Sequence, residues 1–330
     1  MDQQARTAAL DVETIPRGRM LWRFVRQIAF ALISIVVLVV AFGVLNPRFL
    51  SGGNWFHIAQ QVAVIAILAT GQTFIIATAG IDISQGSVVA LSSMICAIAI
   101  VDAHMSSGVA IVLTLALGAV IGAIIGLSVV VLGVPPFIAT LGMLAVALGA
   151  ALLTTNGTPV FGLPNGFQEI SQGTVLGFPN MAWIAVLLAL FSAYLLNKTR
   201  FGRYTLAIGS NAEAARRVGI NVPRHLLLVY VFGGIVSSLA GVIYLAYTAA
   251  AQPTSGANYE LYAIAAVVIG GGSLFGGVGT ILGSILGALL MTILKNGTQL
   301  AGISPYVEQV ILGIVVVGAV YVDNLRRLLR

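Results

Sequence analysis

Val109–Leu132 reads VAIVLTLALGAVIGAIIGLSVVVL, an apolar run without one charged residue. A bilayer core of about 30 Å needs roughly 20 such residues as helix, so this run is predicted to cross a membrane. It ends at Gly133-Val134-Pro135-Pro136, and Phe137–Thr155 opens a further run directly afterwards. Towards the N-terminus come Gly86–Val101, which is short, then His57–Ala79 and Ile28–Leu45. Towards the C-terminus come Met181–Leu196, Leu226–Thr248, Tyr259–Gly270, Gly279–Leu294 and Pro305–Val322. The predicted fold is therefore all-α, a polytopic transmembrane helical bundle of about ten spans. Tyr259–Gly270 is brief enough to be either a short span or a re-entrant helix.

Composition leads to the same class. Of 330 residues 59% are hydrophobic and 8% charged, against about 25% charged in soluble domains. The mean hydropathy is +1.04. The net charge of +6 does not point to nucleic acid, because the basic residues sit at the ends of apolar runs rather than in a stripe. The abundant glycines, 38 in all, suit close helix packing in lipid. A single cysteine, Cys96, leaves no internal disulfide and no metal cluster.

Residues 1–26 are polar and basic and are expected to form a cytoplasmic tail, with no cleaved leader. Residues 27–325 form one transmembrane domain, and 326–330 a second cytoplasmic tail. Lysine and arginine set the orientation. With the N-terminus inside and ten crossings, fourteen of the 16 basic residues are cytoplasmic, and only Arg48 and Lys295 lie at or near the outer side.

The basic interval Asn197–His225 is the one long water-compatible stretch. Within it Asn211, Glu213, Ala214, Ala215, Arg216, Arg217 and Gly219 read as a short helix with both ends marked. Asn211 is placed to cap the first turn. Glu213 lies near the positive end of the dipole and Arg216 and Arg217 near the negative end. Glu213 and Arg217 are a favourable i,i+4 pair, and Gly219 supplies the stop. Two turns are not stable alone in water. The segment is either a docking element for another protein or a solvated loop with a helical turn.

Two glycine-rich stretches interrupt the apolar pattern, Ala79–Ser87 and Gly270–Thr280, and are predicted to be broken or re-entrant segments. In the first, Asp82 and Ser84 are placed to cap the helix that follows, or to line a passage with Gln85. The second ends in no Gly-Lys-Ser/Thr, so a nucleotide cradle is not expected. Phe137, Thr140, Asn156, Thr158 and Glu260 complete the candidate translocation path or gate. Polar uncharged groups at the mouth of a bundle suit a neutral, hydroxyl-rich solute, or they are interfacial turns. Gln252-Pro253-Thr254 and Tyr259-Glu260 are either an external loop or a contact surface for a delivery protein. The histidines, His57, His104 and His225, are scattered, and no carboxylates pair within a span. No enzyme activity, cofactor or catalytic metal is expected.

Several motifs taken together resemble the membrane permease subunits of bacterial ABC-type monosaccharide importers, the ribose permeases in particular. They are Gly80-Ile81-Asp82-Ile83-Ser84, Phe137-Ile138-Ala139-Thr140-Leu141, Thr155–Val160, Thr199–Tyr204, Asn211–Ile220, Ala251-Gln252-Pro253, Glu260-Leu261 and Ala263–Gly277. Their order is shared over nearly the whole chain. The resemblance implies a dimerising helical permease in the bacterial inner membrane, as a homodimer or paired with a similar permease. Two cytoplasmic ATP-binding subunits would face it from within and a sugar-binding protein from outside, and the Asn211–Gly219 helix would couple to the ATPase. The sequence departs from the family at Gln85, usually Val, and at Tyr262, usually Asp, so another pentose, hexose or polyol fits as well as ribose. The competing reading is a secondary transporter of a neutral solute driven by an ion gradient. Such proteins place ionisable side chains deep in the membrane, whereas Asp82, Asp102, Glu260, Lys295, Glu308 and Asp323 fall at run ends or turns.

Overall fold

The computed structural model describes residues 17–328. The expected tail of residues 1–26 lies outside that range up to residue 16. From Arg17 onward the chain is already helical, in α1 (Arg17–Leu45). The helices that follow are α2 (Gly52–Ala77), α3 (Gln85–Val101), α4 (Ser107–Val130), α5 (Pro136–Leu153), α6 (Asn165–Gln172), α7 (Asn180–Lys198), α8 (Arg200–Ser210), α9 (Ala212–Arg217), α10 (Val222–Thr248), α11 (Tyr259–Ile269), α12 (Ile281–Leu300) and α13 (Pro305–Leu328). The sheet is confined to one two-stranded ribbon, Thr174–Val175 with Phe178–Pro179. The protein is an all-α polytopic membrane protein.

Each of the ten apolar runs is a helix. Seven helices are long and apolar enough to cross a membrane, and the apolar parts of α1, α3 and α11 are shorter. The connection 156–180 departs from the irregular loop its glycines and prolines suggested. It contains α6, whose Phe167 is buried and whose Ser171 Oγ donates to Ile243 O at 2.7 Å. Its eight residues are strongly amphipathic but too few to be stable as a helix alone, so contact with α10 holds this element.

The hub is α10, which packs on α2, α3 and α4. Lipid offers no hydrophobic drive between helices, so close backbone approach must supply the attraction. The contact with α4 shows how. A Cβ on Gly118 would collide with Gly234 O and Ser238, one on Gly122 with Tyr230 O, and one on Gly126 would meet Leu227 at 2.8 Å. Rising numbers on α4 meet falling numbers on α10, so the pair is antiparallel. At the same crossing Ser92 of α3 and Ser238 of α10 share a hydrogen bond of 2.7 Å.

Several polar groups inside this core bond to one another or to the turn above. Asn54 donates to Asn296 Oδ1 at 2.9 Å, joining the start of α2 to α12. Thr73 and Ser284 pair at 2.7 Å on the same two helices. Each buried bond of this kind contributes on the order of 1 kcal/mol and leaves an unpaired group behind if one partner is lost. Substituting Asn296→Leu leaves one of the two Asn54 amide protons without an acceptor, the other still bonding Phe49 O, and is expected to cost about 1–3 kcal/mol, read as an earlier melt of the detergent-solubilised protein.

Candidate functional site

The short helix α9 forms as its residues predict. Asn211 Oδ1 accepts from Ala214 N at 2.9 Å, so the cap is made. Glu213 and Arg217 form an ion pair, and Gly219 has φ +88°. An exposed i,i+4 pair contributes only about 0.3–0.5 kcal/mol, too little to hold two turns. What holds α9 is Ala215, buried against Ile208 and Val222. Asn211, Glu213, Ala214, Arg216, Arg217, Val218 and Gly219 all stay exposed. Val218 shows 77% of its surface at the tip.

The base of this prong packs directly against the end of α2 and against the second glycine-rich break. Gly277 N donates to Ala77 O at 3.0 Å, linking the end of α2 to the second break. Gly209, in the last turn of α8, fits between them. A Cβ there would collide with Ala77 O and meet Gly277 N at 2.5 Å. Gly276 is as tight, since its Cβ would lie 2.6 Å from Gly209 O and 2.8 Å from Ala79 Cβ. The second break is pinned from its other side by Asp323 of α13, whose Oδ2 accepts from Ser273 Oγ and Leu274 N at 3.1 Å each. Hydrogen bonds to a charged group are worth about 1.5–3 kcal/mol. Asp323→Ala is therefore expected to speed amide exchange across 270–280 without changing exchange in α9, as read by mass spectrometry.

The first break is buried, non-helical chain between α2 and α3. Ala79 has φ +63°, and Gly80 N bonds back to Ile75 O at 3.0 Å. Asp82 Oδ1 accepts from Ser84 N at 2.8 Å and Ser84 Oγ at 2.6 Å. This differs from the expected cap. Ser84 occupies the N-cap position of α3, but its backbone is already helical at φ −86°, ψ −10°, so its side chain makes no capping bond and donates to Asp82 instead. Gln85 is fully buried and neither amide atom has a hydrogen-bond partner.

The candidate path residues separate into two groups. Thr140 Oγ1 donates to Ile81 O at 3.2 Å, bringing α5 to the first break beside Asp82, Ser84 and Gln85. Glu260 joins the same group, since the Cβ that Gly86 lacks would collide with its carboxylate. Phe137 is one turn from Thr140 and half exposed. Asn156 and Thr158 lie beyond the other end of α5, about 25 Å along the helix. Thr158 exchanges hydrogen bonds with Thr155 there, and Val160 pairs with Ala251. These two mark a different level of the molecule.

Two features escaped sequence reasoning. Tyr230 is buried in α10, with its hydroxyl unpartnered and turned to Gly80, 2.7 Å from where a Cβ would stand. Nothing in its apolar run signals that. Lys295 Nζ lies over the rings of Tyr259 and Tyr262, 4.9 and 5.3 Å from their centres, and Tyr262 donates to Glu308 at 2.6 Å. The departure at Tyr262 was the one available hint.

The sequence profile of the family described as "branched-chain amino acid transport system / permease component" matches residues 54–320. The chain belongs to that permease family. The ribose import permease RbsC of Escherichia coli K12 is 43% identical over 301 residues, 89% of this chain and 92% of the relative. RbsC of Bacillus subtilis 168 is 43% identical over 298 residues, covering 88% and 91%. The D-allose permease AlsC of E. coli K12 is 35% identical over 295 residues, covering 88% and 90%. No solved structure matches the chain. The α8–α9 prong and both glycine-rich breaks of this permease lie inside the matched region.

Proposed function

We propose that the chain is the membrane subunit of an ATP-driven monosaccharide importer, and that α9 is its contact with a separate ATPase. The permease crosses the bacterial inner membrane ten times, α3 and α11 included, with both termini in the cytoplasm. It pairs with a second copy or a similar permease and receives sugar from an extracytoplasmic binding protein. The observation that carries this reading is the prong itself. A capped, charged, outward-facing helix packs at its base, through Gly209, against the end of α2 and the second glycine-rich break. A force on α9 therefore meets backbone within a few residues rather than flexible loop. Relatives named for ribose and allose, sharing almost the whole length, support a sugar as the cargo.

The direct test is uptake into proteoliposomes that hold the permease, its ATPase and its binding protein. Uptake of D-ribose, D-allose or D-galactose that needs ATP supports the reading. Uptake by the permease alone on an ion gradient would overturn it. Within that system, exchanging the charges by Glu213→Arg with Arg217→Glu keeps the intrahelical pair but inverts what the ATPase meets. Sugar uptake is expected to fall about tenfold, equivalent to 1.4 kcal/mol of lost contact, while the permease folds and inserts normally.

A further inference from the structure

Where Glu260 meets Gly86, a cavity of about 210 Å³ opens between α3, α5 and the turn before α11. That is room for several water molecules, or for one small sugar ring. Its polar groups are Ser87, Thr254, Ser255, Asn258 and Glu260, and Leu144 and Leu148 of α5 form an apolar wall. We infer that this cavity is a resting site for a single neutral sugar ring inside the permease, with the Glu260 carboxylate as its hydroxyl acceptor. The inference rests on the proposed transport function.

Chemistry selects the ligand class. The Glu260 carboxylate faces the backbone N–H groups of Gly86 and Asn258 and its own. A carboxylate has about four acceptor sites, so capacity remains for a hydroxyl. No lysine or arginine lines the cavity and Glu260 has no ion-pair partner among the described residues. The cavity offers an anionic ligand no cationic partner, so it favours neutral sugars over sugar phosphates and sugar acids. The hydroxyls of Ser87 and Thr254 and the Asn258 amide supply donors that sugar oxygens accept. The leucine wall suits the C–H face of a ring. Gly86 is what permits the arrangement, because any side chain there would occupy the place of the carboxylate. Gln85, buried with both amide atoms unpartnered, sits next to it in the chain.

The experiment uses the complete transporter in proteoliposomes. Cys96, the one native cysteine, is removed by Cys96→Ala, and Ser87→Cys introduces a thiol at the cavity wall. Labelling by a small maleimide is measured with no sugar, with D-ribose, D-allose or D-galactose, and with D-ribose 5-phosphate. Slower labelling with a neutral sugar and none with the phosphate is the expected result. Equal labelling under all conditions, or protection by the phosphate, overturns the inference. In parallel, Glu260→Gln is expected to lower the maximal uptake rate about tenfold, the effect of losing a charge-assisted hydrogen bond. Binding-protein-stimulated ATP hydrolysis is expected to persist. An unchanged uptake rate in that variant counts against the site. A wild-type complex that carries no sugar with ATP fails the transport reading instead, which keeps the two claims separable.

Discussion

If the chain works as proposed, Gly209→Val is expected to abolish ATP-driven uptake while ATP hydrolysis by the partner subunits continues. That is the largest functional effect expected of a single change outside any substrate contact. Gly209 has no room for a side chain, because Ala77 O and Gly277 N occupy the place of its Cβ. Both obstacles are main chain, and neither can rotate away. Either α8 separates from the end of α2, or the second break is pushed off Ala77 and the 3.0 Å bond between Gly277 and Ala77 is lost. Overpacking of this kind costs about 1–3 kcal/mol, enough to change a two-state equilibrium tenfold or more. The hinge between prong and membrane helices then transmits less of any motion. Gly149→Ala on α5, where a Cβ meets nothing within 4 Å, is the matched control and is expected to be silent. Coupled uptake at the wild-type rate in Gly209→Val would remove the junction from the mechanism.

The second large effect concerns stability. Gly122→Leu drives a side chain into the main chain of α10 at Tyr230. Three glycines at four-residue intervals, Gly118, Gly122 and Gly126, let α4 lie against α10, and packing is the chief attraction between helices in lipid. Forcing the helices apart loses contacts along the whole seam, from Gly118 against Ser238 to Gly126 against Leu227. The expected loss is on the order of 3 kcal/mol or more. It is measured as a lower melting temperature in detergent and as faster tryptic cleavage. Gly108→Ala, at the open start of α4, supplies the comparison. A melt unchanged by Gly122→Leu would mean that α4 and α10 are held by something other than this seam.

Much of the candidate site was legible beforehand because its rules are local. Asn211 caps three residues on, Glu213 pairs four residues on, and Gly219 turns where its own φ demands it. The Ser84 cap misled for an equally local reason. Ser84 already has helical φ and ψ, so its oxygen is not presented to the N–H groups of the next turn, and its hydroxyl donates to Asp82 instead. The α6 helix was hidden because it is only eight residues long and is set among glycines and prolines that read as loop.

Composition and the spacing of apolar runs were enough to make this chain a bundle of membrane helices, because burying so much hydrocarbon surface requires lipid whatever the contacts are. They were enough, too, to mark a charged prong with defined ends, since capping and i,i+4 pairing act within one turn. Tertiary structure alone brought Gly209 to Ala77 and Gly277, and Gly86 to Glu260. Those partners are more than sixty residues apart in the chain. Whether a missing side chain is an accident or a fit depends on which backbone lies opposite it, and no local rule carries that information.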